Sequence, residues 1–240
     1  MKRLGVSKHI PVKKKESKFI VCPAAGPHAK RECIPLQIIL RDILKYADTA
    51  KEAKKILAHG DVFVDGTKKG DHKYPVGLMD VVSIPKTKEY FRVIAKEGKL
   101  VLATITKEKA ERKLVRINNK TTIKTGAVQL NLHDGRNITI VVKDAKNPKE
   151  DKYNTGDTII ISLPDQKIEK QLEMKEGNMA MITKGKHAGV TGKVKIIINP
   201  SGMEKGKIVI ETDDKKEATT LKSYAFIIGE KTPEITLENK

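Results

Sequence analysis

The sequence predicts an α+β chain that is mostly β and divided into several small units. Three observations predict it. Helical periodicity is concentrated in one region, from Leu36 to His59. From residue 86 onward, β-branched runs of strand length recur between turn signals. The positive charge is also uneven, and sets apart a basic leading arm and a basic middle unit.

Residues 1–34 carry Lys13-Lys14-Lys15 and the Pro/Gly-broken segment CPAAGPHAKREC without any period, so a basic extended arm that orders on its partner is expected. In PLQIILRDILKYAD, Leu36, Ile39, Leu40, Ile43 and Leu44 recur at helical spacing, with Pro35 suited to the first turn. Thr49 and Glu52 fit a capping box for a second helix over about 50–59, and Gly60 is a natural stop. In that helix Ala53, Ile56 and Leu57 turn inward, while Lys51, Lys54 and Lys55 share the outer face. Val62 and Val64 then alternate ahead of the turn pair Asp65-Gly66, and LMDVVSI carries the strand pattern to Ile84. Residues 35–85 therefore read as a small helix-helix-strand unit.

Residues 86–168 read as a β-rich central domain with KLVLATIT, KLVRI, AVQLNLH, RNITIVV and DTIIISL as strands. His133-Asp134-Gly135-Arg136 joins two of them as a hairpin, and TKEKAERKL at 106–114 is the one helical candidate. Over 169–230, MAMIT, GKVKIII, KIVIET and YAFIIG are short strands, with NPSGMEKG looping between two of them. Four or five such strands suit a small closed barrel, because closure removes exposed edges. Residues 231–240 form a tail.

Forty-eight Lys and Arg face thirty Asp and Glu, a net charge of +18. Such an excess suits a polyanion, because each neutralised phosphate releases counterions. A lysine-rich solvated surface is the alternative, but it would spread its charge evenly. Here residues 1–34 hold nine basic and two acidic side chains, and 86–170 hold nineteen and eleven. Residues 35–85 hold eight and seven, and 171–240 hold twelve and ten. Aromatics make up only 4%, without tryptophan. Binders that stack bases need aromatic platforms, so a nucleic-acid partner would be read through backbone and shape, as folded RNA is.

Other classes fit poorly. No apolar run approaches the ~18 residues that cross a bilayer. The basic start lacks the apolar block of a signal peptide, and two cysteines make no disulfide framework, so a cytoplasmic location is expected. The stretch GKHAGVTGKVKII suggests a phosphate loop, but His187 stands where its first glycine belongs and Val194 where its Ser or Thr belongs. A strand pattern follows where a helix would have to start. The glycines read instead as turn residues between two strands. The six histidines show no metal spacing, and His9, Cys22, His28 and Cys33 match no common zinc finger. No metal, cofactor or small-molecule substrate is expected, and no catalytic residue.

The segment AKEAKKILAHGDVFVDGTKKGDHKYPVGLMDVVSI resembles the helix-helix-strand RNA-binding module found in several ribosomal proteins and RNA-modifying enzymes. GNMAMITKGKHAGVTGKVKII resembles a KOW motif in an SH3-like barrel. NNKTTIKTGAVQLNLHDGRN and YNTGDTIIISLPDQKI are similar to the middle domain of one family, the archaeal/eukaryotic-type small-subunit ribosomal protein four. GPHAKRECIPL matches that family's entry segment, and the likeness runs over roughly residues 20–230 in order. SKFIVCP departs from the tryptophan-containing arm usual in the family. The short end after FIIGEKTP looks like an archaeal version.

The resemblance implies a structural, non-catalytic role on the ribosome, with small-subunit rRNA and neighbouring ribosomal proteins as partners. An RNA-modifying enzyme or a transcription elongation accessory factor would carry single modules of the same kind. The residues expected to meet phosphates are Lys13, Lys14, Lys15, Lys30 and Arg31 in the arm, then Arg41, Lys51, Lys54, Lys55, Lys68 and Lys69. The middle domain adds Arg112, Lys113, Arg116, Lys120, Lys124 and Arg136. Lys184, Lys186 and Lys193 stand at the barrel rim, where ordinary solvated lysines are the other reading.

Overall fold

A computed structural model of the chain describes residues 1–124, 126–142, 151–201, 204–212 and 216–234. It is an α+β protein with 13% helix and 41% strand, in keeping with the mostly β expectation. The chain divides into two compact units, one built on Met1–Lys113 with Ser162–Gln166, the other on Leu114–Ile161 with Lys167–Ile235.

In the first unit, β1 (Cys33–Pro35) leads into α1 (Leu36–Ile38). Pro35 stays extended as the N-cap. The helix then widens over Ile39–Ile43, where Leu44 N–H donates to Ile39 O, and it ends before Lys45, whose φ is positive. The expected long helix over 35–48 is thus a short helix with a wide turn. That geometry buries Leu36, Ile38, Ile39 and Leu40 together. Helix α2 (Ala50–His59) forms as read, with the reciprocal Thr49–Glu52 capping box at one end and left-handed Gly60 at the other.

Strands β2 (Phe63–Val64) and β3 (Thr67–Lys68) flank the Asp65-Gly66 turn, both of whose residues have positive φ. Next come β4 (Pro75–Gly77), β5 (Val81–Ile84), β6 (Glu89–Lys96), β7 (Lys99–Thr104) and the single turn α3 (Lys107–Ala110). Strand β4 pairs with β1, and the others form an antiparallel sheet in the order β3-β2-β5-β6-β7. Strand β6 lay hidden in the sequence because buried Arg92 breaks its apolar run. Arg92 Nη2 donates to the carbonyls of Lys109 and Arg112, closing the turn that replaces the expected 106–114 helix. Burial lowers its guanidinium pKa to about 10.

The leading segment is irregular but packed. Val6, Ile10 and Ile20 enter the same core as Ile38, Leu40, Leu57 and Val93. Buried Arg3 gathers the arm around itself, donating to Lys13 O at 2.5 Å, Ser17 Oγ at 2.8 Å and Glu16 Oε2 at 2.7 Å. An arm ordered only by a partner was the expectation. Three isolated apolar residues without period gave no signal that they would join a distant core.

In the second unit, β8 (Arg112–Thr122), β9 (Val128–Leu132), β10 (Asn137–Ile140), β11 (Thr158–Ser162) and β12 (Ile168–Leu172) form a sheet ordered β10-β9-β8-β11-β12. Residues 133–136 make the expected hairpin between β9 and β10. The last sheet holds β13 (Met179–Ile182), β14 (Thr191–Ile198), β15 (Lys207–Glu211), β16 (Glu217–Leu221) and β17 (Ala225–Gly229), in the order β16-β15-β14-β13-β17. β12 and β16 were not read from sequence, since IEKQL and EATTL are mostly polar. Of the three glycines in GKHAGVTGKVKII, Gly185 and Gly189 have positive φ in the turn. Gly192 corrects the turn reading: it lies within β14, where a Cβ would meet Glu211 O at 2.2 Å.

One buried polar cluster stands out in the first unit. Lys113, expected on the surface, is fully buried and donates to Asp65 Oδ2 at 2.7 Å and Asp80 Oδ1 at 2.6 Å. Asp65 Oδ1 also accepts Val81 N–H, and Asp80 Oδ2 accepts Gly77 N–H at 2.8 Å and His28 Nε2–H at 2.9 Å. Gly77 has to be glycine for this, because a Cβ there would lie 2.3 Å from the His28 ring. Burial alone would raise the Asp80 pKa, but the charges of Lys113 and His28 outweigh it and hold the carboxyl well below its usual range.

Replacing Lys113 with Met leaves two carboxylates buried without their cation. A loss of about 3–5 kcal/mol is expected in urea unfolding. A loss below 1 kcal/mol would refute the cluster's role. The depressed Asp80 pKa makes its share of stability complete above the ordinary carboxylate pKa of about 4. That share is lost as pH falls from there toward the lower native value. Urea midpoints should therefore drop on acidification below about pH 4, and Asp80→Asn should flatten that acid limb.

Candidate nucleic-acid interface

The cations expected to meet phosphates fall into two sets once their partners are known. One set is committed inside the fold. Besides Lys113, Arg41 pairs with its neighbour Asp42 at 2.8 Å, and that hydrogen bond raises its pKa. Arg116 donates to the carbonyls of Ser223 and Ala225 and to Asn118 Oδ1, fastening β8 to the turn ahead of β17. Beside it, the rings of His133 and Phe226 meet edge to face at 5.4 Å. Lys120 lies 2.5 Å from Asp151 and donates to Tyr153 O. Arg136 pairs with buried Asp134 at 3.4 Å. Lys184 is half-buried and already engaged. Each of these charges is balanced or held by protein atoms, so it adds less to an anion-binding field than a bare lysine does.

The other set faces solvent. Lys51, Lys54 and Lys55 are exposed along α2, and none has an ion-pair partner among the described residues. The Lys68 side chain lies against Gly60 at the C-terminal end of α2, where a Cβ would sit 1.6 Å from Lys68 Cε. That places its ammonium beside the carbonyl end of the helix dipole. Lys69 Nζ stands 4.8 Å over the Tyr74 ring. His72, in the same loop, has its pKa lowered by burial and then by the charges of Lys54 and Lys73. Lys54 of the helix and Lys73 of the loop therefore share one electrostatic neighbourhood. This face groups five lysines without an ion-pair partner among the described residues.

In the arm, Lys13, Lys15, Lys30 and Arg31 are exposed and Lys14 is half-buried. Arg112 is exposed, with its carbonyl held by Arg92. Lys124, Lys186 and Lys193 are exposed in the second unit. The arm's histidines are used structurally, His9 at Gly98 O and His28 at Asp80. Burial pushes the Cys33 thiol up to about 12, so it stays a thiol. Sequence reasoning also missed Lys222, which donates to Asn199, and Lys205, both close to Arg116.

Lys54→Glu with Lys55→Glu should weaken RNA binding at least tenfold and leave the urea midpoint unchanged, since both side chains are solvated. Arg116→Ala should cost about 0.5–1.5 kcal/mol of stability by removing its hydrogen bonds to the carbonyls of Ser223 and Ala225. The reverse pattern would show that the two sets are assigned wrongly.

Two family models match the chain: the S4 domain over residues 34–82 and ribosomal family S4e over residues 87–168. Proteins named small ribosomal subunit protein eS4 are similar along nearly its whole length. That of Methanococcus aeolicus is 43% identical, covering 99% of this chain and 96% of the relative. That of Staphylothermus marinus is 45% identical, covering 99% and 98%. The crystal structure of the 30S ribosomal protein S4e from Thermoplasma acidophilum matches with a TM-score of 0.68 at 34% identity. It covers 83% of this chain and 96% of that one.

Proposed function

The chain belongs to the S4e ribosomal protein family, and we propose that it is a structural constituent of the small ribosomal subunit that binds folded rRNA. It is not an enzyme. The observation that carries the reading is the uncommitted lysine face of α2 and its adjoining loop, within a segment that matches an RNA-binding S4 domain. With 4% aromatics the protein has few stacking platforms, so its contacts are mainly charge-assisted ones to phosphate oxygens. Such contacts fix register and orientation on an RNA surface already folded into shape. The protein works on the ribosome, in the cytoplasm. Relatives of the same length are named as ribosomal proteins, so a modifying enzyme or an elongation accessory factor is not favoured.

The finer architecture is part of the same proposal. Residues 1–34 act as a basic arm, 35–85 as the helix-helix-strand RNA-binding module, 86–168 as the central β domain and 169–230 as an SH3-like barrel of KOW type. The tail is 231–240, of which 235–240 lie outside the described residues. Two features support the barrel: β17 returns beside β13, and a single helical turn at Lys222–Tyr224 precedes it. Lys51, Lys54, Lys55, Lys68 and Lys69 are the main phosphate contacts. The arm's Lys13, Lys14, Lys15, Lys30 and Arg31 support them, together with Lys124, Lys186 and Lys193. Neighbouring ribosomal proteins complete the environment.

If about five to eight phosphates are contacted, log affinity for small-subunit rRNA should fall against log salt with a slope near −0.7 to −0.9 per contact. The native protein should comigrate with small subunits in a sucrose gradient after a high-salt wash. Recovery at the top of the gradient, or salt-independent binding, would refute the proposal.

A further inference from the structure

The second unit contains a groove of about 440 Å³ that the family match does not assign to anything. One wall is the middle of β8 with the loop before β11, where Arg116, Asn118 and Thr155 line it. The other wall is the loop after β14 and the turn ahead of β17, which contribute Lys205, Lys222 and Ser223. Among the described residues three cations and no carboxylate line the groove. The hydroxyls of Thr155 and Ser223 and the amide of Asn118 add donors and acceptors.

The walls are held in place by the protein itself. The Arg116 guanidinium bonds the carbonyls of Ser223 and Ala225, so its charge is fixed and the two walls are tied together. Lys222 N–H donates to Gly206 O, which secures the turn to the loop. Lys222 Nζ rests on a neutral partner, Asn199 Oδ1 at 3.2 Å, which an anion can displace without uncovering a charge. Lys205 has no ion-pair partner among the described residues.

From this lining we infer that the groove takes a single unpaired nucleotide of the RNA. Its phosphate sits between Lys205 and Lys222, and its ribose or base edge meets Asn118, Thr155 and Ser223. The inference rests on the rRNA-binding reading above and sharpens it. The volume lies within the ~300–1,000 Å³ of sites that enclose a ligand of nucleotide size, and it is too small for a duplex. Splayed single nucleotides are also how folded RNA offers its base edges. Among the described residues no aromatic side chain lines the groove, so the base is held by hydrogen bonds rather than by stacking.

The test uses the full chain and small-subunit rRNA. Thr155→Trp fills the groove from an exposed position without changing its charge, and Lys205→Ala with Lys222→Ala removes the phosphate contacts. Thr155→Trp should weaken binding about tenfold at an unchanged melting temperature. The double variant, which removes one phosphate contact, should reduce the salt slope by about 0.7–0.9. Photocrosslinking should join a nucleotide to a groove peptide in the parent protein and not in Thr155→Trp. If Thr155→Trp binds normally while Lys54→Glu with Lys55→Glu does not, the groove is empty and the rRNA reading survives. If an acidic peptide from a neighbouring ribosomal protein crosslinks there instead, the inference is overturned. If no variant changes affinity, both readings fall.

Discussion

The first unit is organised around a lysine that never meets solvent. Lys113 brings its ammonium to two carboxylates, and between them Asp65 and Asp80 accept two backbone N–H groups and a histidine. Taking three ionic groups out of water is expensive, and it is tolerated only when nearly every lone pair and proton finds a partner. That requirement reaches far along the chain. It fixes the Asp65-Gly66 turn against β5, holds His28 of the arm on β4, and seats the first residues of β8. Elements from four places in the sequence are thereby held in register by one cation. An apolar core, being non-directional, would not define their positions so narrowly.

The same economy of charge runs through the whole molecule. A net +18 looks like a uniform invitation to a polyanion, yet much of it is spent internally. Arg3 folds the arm, Arg92 closes a turn, and Arg116 ties two sheets of the second unit together. The exposed cations left over include the solvated face of α2 with its loop, the lysines of the arm, and Lys124, Lys186 and Lys193 of the second unit. Arginine carries most of the internal work and lysine most of the exposed charge. This follows from chemistry, since a planar guanidinium with five donors can satisfy several carbonyls at once. An ammonium on a flexible stem is cheaper to leave in water.

This division suits a protein that has to bind folded rRNA through its backbone. Phosphate contacts need charge at a surface of fixed shape, and the internal arginines supply the shape. A protein so poor in aromatics gains its grip from position and counterion release rather than from stacking. A groove lined by no carboxylate among the described residues then gives one place where a single nucleotide can be held more specifically.

Much of this was legible in the sequence alone. Helix α2, with its capping box and glycine stop, is set by local chemistry, and so are the Asp65-Gly66 turn and the 133–136 hairpin. The failure of the phosphate-loop pattern depends only on residue identity and spacing. The lysine trio of α2 was legible for the same reason, since helical geometry places residues three and four apart on one face. What tertiary structure decided was the role of each individual charge. Asp65 reads as a turn residue and Lys113 as a surface lysine, because nothing within a few residues of either reveals the other. The packed arm was invisible for a related reason, since its burial comes from distant segments, while the largely unburied strands β12 and β16 carry no apolar pattern to read. Local pattern carries secondary structure and net charge. Whether a cation faces water, a carboxylate or a carbonyl depends on contacts between residues dozens of positions apart, and only the folded chain creates those.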